Sequence, residues 1–329
     1  MKQIKVGVLI GRFQVPEMHE GHRFLVREML EECDKVLILF GSANRAPSPR
    51  NPFSYVYRAQ AAKALFPDIY TAPLNDYLYN DSQWVADVDN TIQYMLAHKM
   101  GCDTAKVILY GHKKDGNDYL NWFPQYEYVN INSDIDISGT EVRRSSYPLL
   151  PKAIQDDMDY YGKEALAFSN YPYPENLNFC CADNVVECSG HILLIQRKRA
   201  PGAGTWALPG GFKNNNETFL ECAIRELYEE TNLRVPEKVL RGSIVSTSIF
   251  DHPARSTGIV RNTMAVYYRF PANPDGSLPR ANGADDAQEA KWVSIADIST
   301  GKYQLFDDHA DIISEMTRVK MLPAYLNLA

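Results

Sequence analysis

The sequence predicts two domains of different fold class, an α/β domain followed by an α+β domain. In the N-terminal half, short apolar runs of strand length alternate with helix-length segments, which is typical of a parallel sheet with helices on both faces. From Phe179 onward the pattern changes to several strands and one strongly periodic helix, which favours a mixed sheet with helices packed on it. The 329 residues suffice for two domains, each with its own core.

The N-terminal elements alternate regularly. Strands are predicted at VGVLIGRF, KVLILFG and KVILYG, and helices at HRFLVREMLEEC, SYVYRAQAAKALF and WVADVDNTIQYMLAHKMG. In such sheets ligands bind beyond the carboxyl ends of the strands. Because Gly11-Arg12 and Gly111-His112 both follow predicted strands, we expect a ligand site at that edge.

A connecting segment is predicted between the two domains. It begins as a helical pattern, PKAIQDDMDYYGKEALAF, and continues as SNYPYPENLN, whose Pro, Tyr and Asn residues indicate an ordered, extended linker. We therefore expect a first domain at residues 1–169, a linker at 170–178 and a second domain at 179–329. The second domain has predicted strands at FCCADNVVEC, HILLIQRKR, SIVSTSIFD, TMAVYYRF and AKWVSI, and a closing amphipathic helix at roughly Asp308 to Leu322.

Composition narrows the function classes. With 45% hydrophobic and 23% charged residues, the chain resembles ordinary globular proteins. A net charge of −7 without a long basic run argues against nucleic acid as the main partner, although not against nucleotides. The six cysteines form no CxxC pattern, so we expect reduced thiols and a cytoplasmic protein. Neither a membrane span nor a signal peptide is expected, and the oligomeric state is left open.

One helix of the second domain carries a dense set of carboxylates. Apolar residues recur at i, i+4 and i+8 from Phe219, as on the buried stripe of a helix. Glu226, Glu229 and Glu230 share another face, where like charges destabilise an isolated helix by roughly a few tenths of a kcal/mol per pair. A divalent cation reverses that effect, and hard carboxylate oxygens suit Mg²⁺ or Mn²⁺. The alternative is an ordinary solvated acidic face.

The residues before this helix favour the metal site. The loop WALPGG leads into it, and a Gly-rich loop lets the backbone approach a metal and a phosphate closely. The whole stretch 211–233, GFKNNNETFLECAIRELYEETNL, places Gly211, Glu217 and Arg225 at the spacing of the Nudix box. The chain therefore resembles the Nudix hydrolases, which cut diphosphates linked to another group. It departs from the family at Asn232, where Gly is usual, but Asn tolerates a left-handed helix end.

The Nudix resemblance implies roles for the charged residues of the helix. The three glutamates would bind Mg²⁺ or Mn²⁺ and carry the catalysis: Glu226, Glu229 and Glu230. Arg225 is expected to orient its neighbours, and Glu221, at i−4, could pair with it. Glu289 is a candidate general base, although a surface carboxylate is at least as good an interpretation.

The first domain has an independent signature after its first strand. Gly11-Arg12-Phe13 opens a loop, and a His-x-Gly-His run with His19 and His22 leads into a helix whose N-terminal amides favour anions. A structural zinc site is disfavoured, because it needs four ligands and no Cys or His cluster supplies the others. Two surface histidines are the remaining alternative.

A second half-motif, ISGTEVR, ends at Arg143. Ser138 and Glu141 have the spacing of a capping box, which would place Arg143 one turn into a helix, where it can hold phosphate oxygens. Together the two half-motifs resemble the nucleotidyltransferase superfamily, which implies a Rossmann-like domain. The implied catalytic residues are His19, His22 and Arg143, and the implied ATP- or phosphate-binding residues are Gly11, Arg12, Phe13, Gly111, Ser138 and Thr140.

Further sequence motifs indicate which subfamily of nucleotidyltransferases the first domain resembles. GSA at 41–43, NPFS at 51–54, Arg58 and YNDSQW at 79–84 resemble the nicotinamide mononucleotide (NMN) adenylyltransferases of the archaeal type. In that family a Trp stacks on the nicotinamide ring, so the resemblance implies that Trp84 and Asn80 bind NMN. Packing of Trp84 in the core is an equally good interpretation, because aromatic side chains serve both roles.

Over nearly its whole length the chain resembles the bacterial bifunctional NMN adenylyltransferase/Nudix hydrolases. The resemblance implies synthesis of NAD and pyrophosphate from ATP and NMN, and hydrolysis of ADP-ribose to AMP and ribose 5-phosphate with Mg²⁺ or Mn²⁺. ADP-ribose is favoured only by its metabolic link to NMN, and its weak candidate contacts are Arg197, Phe250, Asp251 and Phe306. The alternatives are a Nudix domain that senses a nucleotide without cutting it, and an adenylyltransferase for another phosphomonoester such as phosphopantetheine.

Overall fold

A computed structural model describes residues 3–111, 119–131 and 139–328. The chain divides into two compact units. Unit 1 comprises Met1–Leu150 and Pro323–Ala329, and unit 2 comprises Pro151–Leu322.

Unit 1 is built on a five-stranded parallel sheet with the strand order β3-β2-β1-β4-β5. Its strands are β1 (Lys5–Gly11), β2 (Lys35–Phe40), β3 (Tyr70–Pro73), β4 (Lys106–Gly111) and β5 (Glu127–Asn130). Its helices are α1 (Glu20–Glu32), α2 (Tyr55–Leu65), α3 (Asp81–His98) and α4 (Gly139–Ser145), with short 3₁₀ helices at Tyr119–Trp122, Tyr147–Leu149 and Ala324–Leu328.

The strands of unit 1 are apolar throughout because both faces of the sheet are buried. In β2, Leu37 and Leu39 belong to one hydrophobic cluster, whereas Ile38 and Phe40 belong to another. Successive side chains of a strand point to opposite faces, so an uninterrupted apolar run is what a doubly covered sheet requires. Because β1 and β4 are parallel neighbours, their carboxyl ends lie at the same edge of the sheet.

Unit 2 contains a seven-stranded mixed sheet with the order β10-β11-β6-β7-β12, to which β8 adds on β7 and β9 on β6. Its strands are β6 (Asn178–Cys188), β7 (His191–Arg197), β8 (Trp206–Ala207), β9 (Gly210–Phe212), β10 (Ile244–Phe250), β11 (Val260–Phe270) and β12 (Ala287–Ser294). Its helices are α5 (Lys152–Ala167), α6 (Phe219–Thr231), α7 (Glu237–Gly242), α8 (Ile295–Ser299) and α9 (His309–Thr317), with a 3₁₀ helix at Pro174–Asn176. Strands β6 and β11 are parallel, and the other pairs are antiparallel. The predicted fold class, α/β followed by mixed α+β, is confirmed.

The carboxylate helix α6 forms for local reasons. Thr218 and Glu221 close a capping box at its N-terminus, which satisfies amide groups that the helix leaves unpaired. Ala223 and Leu227 are fully buried in the core of unit 2, as the apolar spacing predicts. Asn232 ends the helix in the left-handed conformation, with φ +46°, so the departure from Gly in the family pattern is compatible with the same helix end.

Helix α5 groups with unit 2, whereas the sequence placed its residues in the first domain. Its Asp157 accepts a hydrogen bond from the amide of Gly202 at 2.9 Å, and Glu164 pairs with Arg261. Tyr161 is buried on the same helix. These contacts join α5 to a loop and to β11 far along the chain, so the compact units divide after Leu150, whereas the sequence placed the linker at 170–178.

The closing helix is shorter than predicted. Helix α9 ends at Thr317, because Arg318 adopts a left-handed conformation with φ +63°, and residues from Pro323 onward group with unit 1. All six cysteines are free. Among the described residues, no helix is both long enough and apolar enough to cross a membrane.

Candidate active sites

The loop after β1 is held by close packing and by a buried arginine. A Cβ on Gly11 would lie 2.7 Å from the ring of Phe13, so a larger residue cannot stand there without movement. Phe13 has φ +47°, and its ring packs edge-on against His22, with centroids 4.8 Å apart. Arg58 donates from Nη1 to the carbonyls of Arg12 at 2.5 Å and Gly41 at 2.8 Å. The backbone near the carboxyl end of β1 is thereby fixed.

The two histidines of the His-x-Gly-His run are stacked. His19 is the N-cap residue of α1, and His22 lies in its first turn. Their ring centroids are 3.7 Å apart and the rings are inclined by 24°. Burial, and secondarily His19, lower the pKa of His22 to about 3, so His22 is a neutral imidazole at neutral pH. Its buried Nδ1 has no hydrogen-bond partner among the described residues.

Other hydrogen-bond donors gather around this loop. Arg143 donates from Nη1 to the carbonyl of Gln14 at 3.1 Å and from Nη2 to the hydroxyl of Thr140 at 3.0 Å. Burial, and then the charge of Arg12, lower the pKa of Arg143. The buried Nε2 of Gln14 and Nη2 of Arg58 have no partner among the described residues. A cluster so rich in donors and positive charge fits an anion such as a phosphate.

The other residues predicted for the sites of unit 1 are Gly111, Ser138, Asn80 and Trp84. Gly111 is the last residue of β4, at the same sheet edge as Gly11. Ser138 lies outside the described residues. Asn80 is the N-cap residue of α3 and accepts from the amide of Gln83 at 3.0 Å. Trp84 packs on the core.

The ring of Trp84 also has aromatic neighbours. It makes T-shaped contacts with Trp122 and Phe123, with centroids 6.0 and 5.9 Å apart. Trp122 is exposed, so the aromatic group that includes Trp84 reaches the surface.

In unit 2, Arg225 is the centre of the charged face of α6. Its guanidinium binds Glu217 through two hydrogen bonds, at 2.9 and 2.7 Å. Its Nη1 also donates to Glu226 at 2.8 Å and to Glu229 at 2.9 Å. The predicted pairing of Arg225 with Glu221 is wrong, because the carboxylate of Glu221 is used in the capping box.

Glu230 lies deeper than its neighbours. Its Oε2 accepts from the amide of Gly210 at 2.9 Å, and burial raises its pKa to about 8. Burial also raises the pKa of Glu226. A Cβ on Gly211 would lie 2.5 Å from the carboxylate of Glu226, so this close approach of the loop to the helix requires glycine.

These carboxylates suit a divalent cation by chemistry, and two of them already share a cationic neighbour in Arg225. No group of three or more His, Cys, Asp or Glu side chains within the described parts of the chain converges on one point. A cation at this face would therefore take ligands from Glu226 and Glu229 that Arg225 now occupies, together with Glu230.

A cavity opens beside Gly210 and Gly211. Its wall carries positive charge, aromatic rings and titratable groups. The lining includes Tyr160, Tyr161, Arg197, Arg255, Arg261 and Phe306. The guanidinium of Arg197 lies 4.2 Å from the ring centroid of Phe306, and Arg255 forms a buried ion pair with Asp308, with Nε and Oδ2 2.9 Å apart. Phe250, Asp251 and Glu289 are absent from the lining.

Sequence reasoning missed several cavity residues. Tyr160 and Tyr161 come from α5, and nothing in the local sequence marks them. Asp307 could have been identified as a candidate site residue from the sequence, because it belongs to a run of titratable residues that ends at His309. It has φ +43°, and burial raises its pKa to about 7. His309 accepts from the amide of Leu208 at 2.8 Å.

The NUDIX domain model matches residues 179–316. An ADP-ribose pyrophosphatase of Methanocaldococcus jannaschii is 34% identical over 138 residues, which are 42% of this chain and 72% of the relative. The chain belongs to the Nudix family. Its Nudix box lies on β9, α6 and the loop between them.

The N-terminal part and the whole chain have further relatives. A nicotinamide-nucleotide adenylyltransferase of Methanolobus tindarius is 35% identical over 83 residues, 24% of this chain, and these span only 46% of the relative. A bifunctional NMN adenylyltransferase/ADP-ribose pyrophosphatase of Francisella tularensis has a similar structure, with a TM-score of 0.85 and 28% identity, covering 96% of this chain and 99% of that one. A second structure of that protein, 27% identical with equal coverage and TM-score, is complexed with AMP and a Mn ion.

Proposed function

We propose that this chain is a bifunctional enzyme that forms NAD from ATP and NMN in unit 1 and hydrolyses ADP-ribose in unit 2. The observation that carries the proposal is the similarity over 96% of the chain to a protein described by both activities. The donor-rich loop of unit 1 and the carboxylate helix beside a cavity in unit 2 support one activity each.

In unit 1, the 5′-phosphate of NMN attacks the α-phosphorus of ATP, and pyrophosphate leaves. This transfer depends on alignment and on neutralisation of charge, so no protein nucleophile is needed. His19, His22, Arg12 and Arg143 donate hydrogen bonds to the phosphates, and Gly11, Phe13, Gly111 and Thr140 shape the site around them. Because its pKa is low, His22 is a neutral imidazole at neutral pH and can donate one ring N–H. Mg²⁺ bound to ATP would neutralise further charge.

In unit 2, Glu226, Glu229 and Glu230 would hold Mg²⁺ or Mn²⁺, which would supply polarisation of the diphosphate and activation of water. Glu217 fixes the guanidinium of Arg225 through two hydrogen bonds. Arg225 in turn restrains Glu226 and Glu229, so it is a positioning residue. The amide of Gly210 holds Glu230 in place.

The cavity supports a nucleotide as the substrate of unit 2. The cavity lies beside Gly210 and Gly211, next to the carboxylate helix. Arg197 supplies positive charge for a diphosphate, whereas Arg255 and Arg261 are already paired with Asp308 and Glu164. Tyr160 and Phe306 offer aromatic surface to a base or a ribose. We therefore propose ADP-ribose as the substrate, with Arg197 and Phe306 among its contacts.

A product assay on the purified full-length chain tests both activities separately. We expect NAD from ATP plus NMN, and AMP from ADP-ribose in the presence of Mg²⁺ or Mn²⁺. Binding of ADP-ribose without release of AMP under either metal would replace the hydrolase by the nucleotide sensor. Activity with phosphopantetheine but not with NMN would replace the proposed acceptor in unit 1.

Trp84→Ala tests nicotinamide recognition. We expect the KM for NMN to rise by about tenfold or more, because loss of an aromatic platform costs a stacked ring about 1–3 kcal/mol. The KM for ATP should change little. Equal effects on both substrates, together with a lower Tm, would assign Trp84 to the core alone.

Tyr160→Ala tests whether α5 contributes to the ADP-ribose site. The KM for ADP-ribose should rise by about tenfold with kcat nearly unchanged, since the same stacking energy is lost away from the reacting atoms. Tyr171→Ala is the matched control, because Tyr171 is exposed and is absent from the cavity lining. An unchanged KM in Tyr160→Ala would remove α5 from the substrate site.

A further inference from the structure

Phe212 is a large apolar residue that stands half in solvent at the cavity of unit 2. It is the last residue of β9, its exposed fraction is 50%, and it belongs to the cavity lining. The other aromatic residues of that lining are less accessible, because Tyr161 is buried and Tyr160 and Phe306 are half-buried. The ring of Phe212 is therefore the aromatic surface that the cavity offers most openly to a ligand.

The strand pairing places this ring on the cavity face of the sheet. Phe212 of β9 stands opposite Cys181 of β6, and Arg261 of β11 stands opposite Phe179 of β6. Because side chains alternate along a strand, residues 179, 181 and 183 of β6 share one face. Cys181, Asp183 and Arg261 all line the cavity, so Phe212 lies on the face that a ligand in the cavity would meet.

The ring and the backbone of Phe212 are both held in place. The ring packs edge-on against Phe179, with centroids 5.4 Å apart, and the guanidinium of Arg261 lies over it at 5.8 Å. Arg261 is itself paired with Glu164. The carbonyl of Phe212 accepts a hydrogen bond from Nη2 of Arg225 at 3.0 Å. An aromatic ring that is already ordered loses little conformational entropy when a ligand stacks on it.

Phe212 also lies next to the carboxylates proposed to act on the diphosphate. It follows Gly211, where a Cβ would lie 2.5 Å from the carboxylate of Glu226. Arg225, which binds the carbonyl of Phe212, also donates to Glu226 and Glu229. A diphosphate bound at this face would bring the adjoining parts of the substrate to the ring. In ADP-ribose the adenine base is the only aromatic group, so it is the group that can stack there.

We propose that Phe212 is the platform on which unit 2 stacks the adenine base of ADP-ribose. This inference rests on the proposed hydrolysis of ADP-ribose and adds a specificity-determining residue to it. Tyr160 and Phe306 are then left for the ribose and for the other face of the base. Stacking uses the π face that every base has, so Phe212 favours diphosphates that carry a base over those that carry none.

Phe212→Ala in the full-length chain tests the platform. The KM for ADP-ribose should rise by about tenfold, because a stacked base loses its aromatic partner. The kcat should change little, since the hydrogen bond from Arg225 goes to the backbone carbonyl, which the substitution keeps. As a product inhibitor, AMP should weaken by the same factor, whereas ribose 5-phosphate, which has no base, should keep its Ki. Phe212→Trp keeps an aromatic ring and should retain the KM of wild type.

Phe168→Ala is the matched control. Phe168 and Phe212 both contact Phe179 edge-on with centroids 5.4 Å apart, but Phe168 is absent from the cavity lining. Each variant loses one such ring contact, so both should show a similar small change in Tm, and Phe168→Ala should keep the KM for ADP-ribose. An unchanged KM in Phe212→Ala, an equal rise of KM in both variants, or an equal rise of both product Ki values would overturn the proposal.

Failure of the proposed hydrolysis would give a different result. If wild type releases no AMP from ADP-ribose, the hydrolase is refuted, and equilibrium binding of ADP-ribose then decides whether Phe212 is the platform. Phe212→Ala should weaken that binding by about tenfold, and Phe168→Ala should leave it unchanged. Equal binding by the two variants would refute the platform in that case as well.

Discussion

Glu230→Gln is expected to lower the release of AMP from ADP-ribose by two orders of magnitude or more. The substitution keeps the shape of the side chain but removes one of three carboxylates proposed to hold the cation, and loss of a preorganised charged group typically costs about 10²–10³ in rate. NAD formation should persist, because the residues proposed for it lie in unit 1. Glu175→Gln is the matched control, since Glu175 is exposed in the 3₁₀ helix before β6. Full activity of Glu230→Gln would exclude Glu230 from the metal site.

The same variant should change the pH dependence of stability in the metal-free protein. In the folded state the pKa of Glu230 is about 8, against an ordinary value of 4.5. Between these values the unfolded chain has released a proton that the folded chain retains, so the free energy of unfolding falls as pH rises. The slope reaches about 1.4 kcal/mol per pH unit for one proton. Glu230→Gln lacks this contribution, so its Tm with a chelator should exceed that of wild type at pH 8. Identical pH profiles would show that Glu230 is ionised in the folded protein.

His19→Ala is expected to lower NAD formation by about two orders of magnitude or more, the loss typical of one preorganised donor to a developing charge. His19 stacks on His22 at 3.7 Å, so the substitution also removes a support for the second imidazole. Hydrolysis of ADP-ribose by the same protein should be nearly unchanged.

The control for this substitution is His98→Ala, an exposed histidine at the end of α3. It should leave both activities intact. Near-wild-type NAD synthesis by His19→Ala would refute the assignment of the His-x-Gly-His loop to the ATP site.

Features that depend on local spacing were predictable from the sequence. Helix α6 follows from its apolar repeat, and its left-handed end follows from the tolerance of Asn232. The buried strands of unit 1 follow from uninterrupted apolar runs. By contrast, β3 and β5 are four residues each, too short to give a clear periodic signal.

Features that depend on contacts between distant residues were not predictable. The grouping of α5 with unit 2 rests on hydrogen bonds such as Asp157 to Gly202, and no sequence period encodes them. The cavity likewise combines Tyr160, Arg197 and Arg255 from three separate segments. The wrong partner of Arg225 has a local cause. Glu221 stands four residues before Arg225, which favours a salt bridge, and three residues after Thr218, which favours the capping box.

The division of the chain also bears on how the protein is made. Unit 1 includes the segment from Pro323 onward, where the ring of Tyr325 packs on Tyr94 with centroids 5.1 Å apart. A ribosome adds roughly 5–20 residues per second, so the stretch Pro151–Leu322 separates the two parts of unit 1 by roughly ten to thirty seconds of synthesis. Unit 2 can fold while it emerges, whereas the part of the protein that is translated first must wait for this late segment to complete its packing.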